Sequence, residues 1–292
     1  MCDEATAADN DRYLGDRNLG PISRRSFAAG TAAAGLMAML PQSANAMAVK
    51  GRDVTITTPD GTCDAYFVAP ARGRHPAVLV WPDVMGLRPA FRQMADRLAE
   101  SGYAVLTVNS FYRSTKAPFL APGESFDQPA VRERIAPFRA ALTPAGIESD
   151  GKAFVAWLDT QRAVDKKRGV GSTGYCMGGP MVVRTAAAVP ERVRAGGSFH
   201  GGGLVTDKPD SPHLLVPKLK GKYLFAVAEN DDQRAPADKD ALRAAFAAAG
   251  VPAEIEVYAG AQHGWCPPDS RVYNQAQAER AWARLLATFA AL

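Results

Sequence analysis

From residue 47 onward, short apolar runs alternate with stretches whose apolar residues recur every three or four positions. Val54-Thr55-Ile56-Thr57 and Ala65-Tyr66-Phe67-Val68 flank Pro59-Asp60-Gly61, a pattern that predicts an antiparallel hairpin. Ala77–Trp81 is apolar throughout and Ala104–Val108 nearly so, as expected of strands buried on both faces. Between them, Phe91, Met94, Ala95 and Leu98 fall at helical spacing over Pro89–Glu100, and Gly102 ends that run. Further along, strands are predicted over 169–173, 195–199, 223–228 and 255–258. Helices are predicted over 149–158, 178–188, 238–249 (closed by Gly250) and 274–292. Alternation of this kind argues for an α/β fold with a mostly parallel central sheet, helices on both faces, and the hairpin added at the N-terminal edge. No internal repeat is visible. Residues 109–148 break the pattern, with Pro118, Pro122, Pro129, Pro137 and Pro144 along them. A stretch of that length without clear elements reads as a lid or a binding insert.

The N-terminal 46 residues follow a different pattern. Ser23-Arg24-Arg25-Ser26-Phe27 precedes a weakly apolar run from Ala28 to Leu40, then Pro41 and the small-residue site Ala44-Asn45-Ala46. A basic pair, a short apolar run and such a site are the parts of a secretory signal, and the paired arginines resemble the twin-arginine type. This predicts a leader over 1–46, one domain over 47–292, engagement of the twin-arginine export machinery, and a periplasmic or secreted product. The other reading of this stretch is an amphipathic helix packed on the domain. The apolar run is too short and too rich in Ala and Gly for a stable membrane span.

Composition narrows the function classes. Of 292 residues, 47% are hydrophobic and 22% charged, with a net charge of +4. The small positive excess is spread out, without a run of basic residues, so nucleic-acid binding is not indicated. A mild preference for anionic small substrates is compatible with it. Four cysteines are present: Cys2, within the leader, Cys63, Cys176 and Cys266. An odd number in the exported part leaves at least one thiol free. Pairing of Cys63 with Cys266 is open at this point.

The chemistry concentrates at Gly174-Tyr175-Cys176-Met177-Gly178-Gly179, between a predicted strand and a predicted helix. A nucleophile on so sharp a turn has a strained backbone, and neighbours two residues away must lack side chains. The helix N-terminus behind it favours thiolate. The N–H of Met177 is placed to meet an oxyanion. Asp231 and Asp232 follow the strand at 223–228, and His263 follows the strand at 255–258. Nucleophile, acid and histidine thus come in the chain order of α/β-hydrolases. Asp231 is nearer the strand end, with Asp232 as the alternative acid.

At these residues the chain resembles the dienelactone hydrolase family (carboxymethylenebutenolidases), from about Asp53 to the C-terminus. The resemblance implies an α/β-hydrolase fold, a Cys176–His263–Asp231 triad, hydrolysis of a cyclic enol ester through a thioester, and no metal or organic cofactor. It also implies an acidic residue that interacts with the resting thiol. Asp83, in Trp81-Pro82-Asp83-Val84-Met85-Gly86, takes that place with one methylene less, and the N–H of Val84 becomes the second oxyanion donor. Arg132 and Arg134 match the stretch where the family binds a substrate carboxylate. A second family arginine, just past the histidine, is replaced by Pro267. His200, in Phe199-His200-Gly201-Gly202-Gly203, and Trp265 stand as pocket-lining candidates, with Trp81, Phe111 and Tyr112 as apolar walls. Three functions remain open: a cysteine hydrolase of esters or lactones, a general exported carboxylesterase, and a non-catalytic binding protein or thiol redox sensor on the same fold.

Overall fold

The structure, a computed structural model, describes residues 4–16, 40–41 and 46–292. The paired arginines and the Ala44-Asn45 pair lie outside the described residues, as does Cys2. Eight strands form one sheet: β1 (Val49–Thr58), β2 (Gly61–Pro70), β3 (Ala77–Trp81), β4 (Ala104–Val108), β5 (Val170–Tyr175), β6 (Val193–Phe199), β7 (Lys222–Ala228) and β8 (Ala253–Tyr258). Their order is β1-β2-β4-β3-β5-β6-β7-β8. The first hairpin is antiparallel and joins β4 antiparallel. Every pairing from β4 to β8 is parallel.

The helices are α1 (Glu4–Asp16), α2 (Pro89–Glu100), α3 (Pro129–Ala140), α4 (Pro144–Thr160), α5 (Gly178–Ala188), α6 (Glu229–Arg234), α7 (Asp238–Ala249) and α8 (Gln275–Phe289), with a 3-10 turn at Pro212–Lys218. Alternate residues of each central strand feed two apolar layers. Leu79 and Trp81 pack with Phe154, Met181, Val182 and Phe246 on one face. Val78 and Val80 pack with Phe91, Leu98, Leu285 and Phe289 on the other. Each such side chain, fully buried, contributes about 1.5–3 kcal/mol. This sandwich fixes the carboxyl ends of the parallel strands, where α/β sheets place their ligands. Among the described residues no helix is long and apolar enough to cross a membrane.

Local structure settles three points that the sequence reading raised. Residues 109–148 are not devoid of elements: α3 lies inside them and α4 starts at Pro144, ahead of the expected residue 149. Pro129 and Pro144 each open a helix, where a missing N–H costs nothing, so prolines counted as breakers are starters. Asp231 sits on the short helix α6, directly after β7. Cys63 and Cys266 are both buried and unpaired. They belong to opposite apolar layers, so the sheet separates them and no disulfide forms.

Candidate active site

Cys176 has φ of +51°, in the left-handed region that L-residues avoid. The glycines around it are required by contact. A Cβ on Gly174 would lie 2.0 Å from the Gly178 carbonyl oxygen, and one on Gly178 would lie 2.2 Å from that of Trp81. The turn from β5 into α5 therefore packs backbone against backbone. Hydrogen bonds from Cys176 N to the Phe199 carbonyl (3.0 Å) and from Gly179 N to the Cys176 carbonyl (3.1 Å) hold it.

His263 is brought up by the loop after β8. Its backbone N–H donates to Asn230 Oδ1 (2.8 Å). Its Nδ1 lies 2.6 Å from Asp231 Oδ2, and its ring is hydrogen-bonded with Cys176. Burial opposes charge on this ring, but the Asp231 carboxylate and the Cys176 sulfur outweigh it and raise His263 to about 10. Asp232 turns instead to Lys239, 2.7 Å away. Of the two candidate acids, Asp231 is the one that holds the histidine.

His200 ends β6 as Cys176 ends β5, and it too has positive φ, +40°. It is buried against the rings of His263 and Trp265, each 5.0 Å away centre to centre. Burial, reinforced by the neighbouring His263, pushes it well below the ordinary value of 6.5, so it is neutral. Neither of its ring nitrogens has a hydrogen-bond partner among the described residues. Trp265 stacks on Tyr258 (5.4 Å) behind His200 and is not part of the cavity wall.

Asp83 is buried and gripped by Arg88 through both oxygens (2.7 and 3.0 Å), while Oδ1 also accepts from Met85 N. The other edge of the Arg88 guanidinium binds Asp269 at 2.6 and 2.9 Å. Burial drives the Asp83 carboxyl up, and Arg88 counteracts it. Its shorter side chain is thus committed to a guanidinium.

A cavity of about 680 Å³ opens over Cys176 and includes Asp83, Val84, His200 and His263 in its wall. Pro118 and residues 120–127 line its outer side, so the proline-rich stretch forms part of the cavity wall. Arg132 and Arg134 do not. Arg132 donates to the Asp127 carbonyl (2.6 Å) and the exposed Arg134 pairs with Glu124 (2.9 Å). The lining arginines are Arg88 and Arg271, both passed over in the sequence reading. Arg88 had a signal, as the one charge between Met85-Gly86-Leu87 and the start of α2; Arg271 had none. Met177 opens α5 and is half-buried between two apolar clusters. Trp81 is core, buried against Phe154, and Phe111 and Tyr112 likewise pack inward.

The model of the dienelactone hydrolase family matches residues 63–292. The chain belongs to that family. A carboxymethylenebutenolidase-type protein of Synechocystis is 28% identical over 262 residues, covering 82% of this chain and 96% of the relative. One from Methylorubrum extorquens is 28% identical over 276 residues, covering 90% and 91%. The carboxymethylenebutenolidase of Rhodococcus opacus is 28% identical over 194 residues, covering 66% and 71%. A dienelactone hydrolase structure from Klebsiella pneumoniae superposes with a TM-score of 0.72 at 24% identity, over 84% of this chain and all of that one. This family membership makes the protein an α/β-hydrolase-fold enzyme of the type that acts on carboxylic esters or lactones.

Proposed function

We propose that the protein hydrolyses a small ester or lactone through Cys176, His263 and Asp231, by way of a thioester. The single observation that carries this reading is the relay itself: a strained, cavity-facing thiol bonded to a histidine that a carboxylate holds at 2.6 Å. The raised His263 keeps its proton and stabilises a thiolate. The sulfur attacks the acyl carbon, and the oxyanion is received by the N–H groups of Met177 and Val84. As the C–O bond breaks, His263 gives its proton to the leaving oxygen. Water then loses a proton to His263 and attacks the thioester. The acid departs and the thiolate–imidazolium pair returns. Asp231 keeps the imidazole oriented and stabilises its positive charge.

The wall combines apolar Leu120 and Phe126 with Arg88 and Arg271, whose charges are met by Asp83, Asp269 and Asp127, which suits a compact acyl group without a net charge of its own. The leader reading of residues 1–46 adds export through the twin-arginine route to a periplasmic or secreted location. Cell fractionation with Arg24→Lys/Arg25→Lys as the control tests it, and retention of both forms in the cytosol counts against it. The chemical reading is tested with a panel of enol lactones and aryl esters on the wild-type protein and Cys176→Ala. Turnover by wild type alone, with an acyl adduct on the Cys176 peptide by mass spectrometry, is the expected result. Equal turnover by both proteins, or none by either, refutes it.

A further inference from the structure

The helix α1, far from the domain in sequence, sits on the mouth of the catalytic cavity. Thr6, Ala7 and Asn10 form part of its wall. Thr6 is buried, at 5% exposure. The Tyr13 hydroxyl donates to the Gly260 carbonyl (3.1 Å), at the turn after β8 that leads to His263. Asp9 pairs with Arg234 on α6, the helix that carries Asp231. Asp11 lies 2.8 Å from Arg271, whose other amino group holds Asp127 of the cavity wall. These contacts are polar, and among the described residues α1 contributes none to the three apolar clusters. The charges are complementary: residues 4–16 contain four acidic residues and one arginine, and the groups they meet are arginines. Asn10 Oδ1 is buried at this contact without a hydrogen-bond partner, so closure leaves it a polar group that water would satisfy in the open form.

We infer that α1 is a releasable intramolecular cap, which hinders access to Cys176 and is latched to the cavity wall by the Asp11 carboxylate on Arg271. The inference rests on the proposed role of this cavity as the substrate site. Exposed ion pairs are individually weak and salt-sensitive, so the cap opens without unfolding the domain. Because α1 precedes Ala44-Asn45-Ala46, cleavage of a leader there severs it from the enzyme. The full chain is then the closed form and the processed chain the open one.

The test measures alkylation of Cys176 by iodoacetamide, followed on its own peptide by mass spectrometry in a Cys2→Ser background. Three proteins are compared: the full chain, the full chain with Asp9→Ala/Asp11→Ala, and the full chain with a protease site in place of residues 42–46, cleaved after folding and freed of the fragment. Alkylation at least ~3-fold faster in the second and third is expected, the order of effect that two exposed ion pairs supply. Added salt should accelerate the first more than the other two. Tyr13→Phe, which removes a single hydroxyl, gives a smaller rise in the same direction. Equal rates in all three proteins, or no salt effect on the full chain, overturn the cap. Alkylation reads access without needing turnover, so absence of ester hydrolysis would sink the hydrolase reading while leaving this measurement decisive.

Discussion

Two neighbouring strand ends, those of β5 and β6, carry the same backbone device with opposite outcomes. Tyr175 and Phe199 pair in register and stack at 5.1 Å. The residue after each, Cys176 or His200, is forced to positive φ. Among the described residues these are the non-glycine positions in that conformation. At the first, strain aims a thiol at a histidine that has a carboxylate behind it. At the second, it seats a histidine among rings that offer no hydrogen-bond partner. His263 and His200 are both buried and 5.0 Å apart, yet one is raised to about 10 and the other lowered well below 6.5. Burial is common to both. The partner decides the sign. Strain therefore positions a side chain, but only a second group makes it reactive.

The sharpest way to break the comparison is Cys176→Ala, which should lower kcat/KM on any productive ester by at least ~10³-fold, since members of such a relay act as a unit. Asp231→Asn should cost roughly 10²–10⁴-fold in kcat and lower the His263 pKa measured by NMR, whereas Asp232→Asn should stay within ~2-fold. Retained activity in Asp231→Asn would show that His263 needs no counter-charge.

Titration sharpens the contrast in stability. His263 is raised on folding, so its pairing stabilises fully below pH 6.5 and is lost as pH rises through about 10. His200 is lowered, so its contribution is present above pH 6.5 and lost as pH falls below it. Denaturant midpoints across pH should fall on both sides, and His200→Asn, which tolerates positive φ, should flatten the acid side alone. An unchanged acid limb would mean that His200 is not what loses stability there. On kcat that variant should stay within ~10-fold, because His200 neither bonds the sulfur nor holds His263.

The elbow, the parallel sheet and the order of Cys176, Asp231 and His263 were legible because each is dictated locally. Glycine spacing, apolar runs and strand ends leave little choice. The choice between Asp231 and Asp232 was not legible, since both follow β7 and only the pitch of α6 turns one toward His263 and the other toward Lys239. Arg132 and Arg134 were misplaced for a related reason. A helix, once formed from Pro129, presents its arginines by rotation about its axis, and these find Asp127 and Glu124 before they reach the cavity. Arg88 and Asp269 are 181 positions apart, a pairing that no local pattern announces.

The two sides of the cavity have unequal freedom to vary. Around Cys176 almost any added atom collides: a Cβ on Gly179 would come within 2.6 Å of Gly201 Cα, so each of these turns constrains what the other can become. The opposite wall, residues 120–127, hangs outside the sheet, and at Gly123 a Cβ would meet nothing within 4 Å, so that only its own backbone, at φ of +84°, restrains the position. Lineages derived from this chain, or libraries built on it, can therefore explore new acyl groups by rewriting that wall while the nucleophile's turn is inherited unchanged.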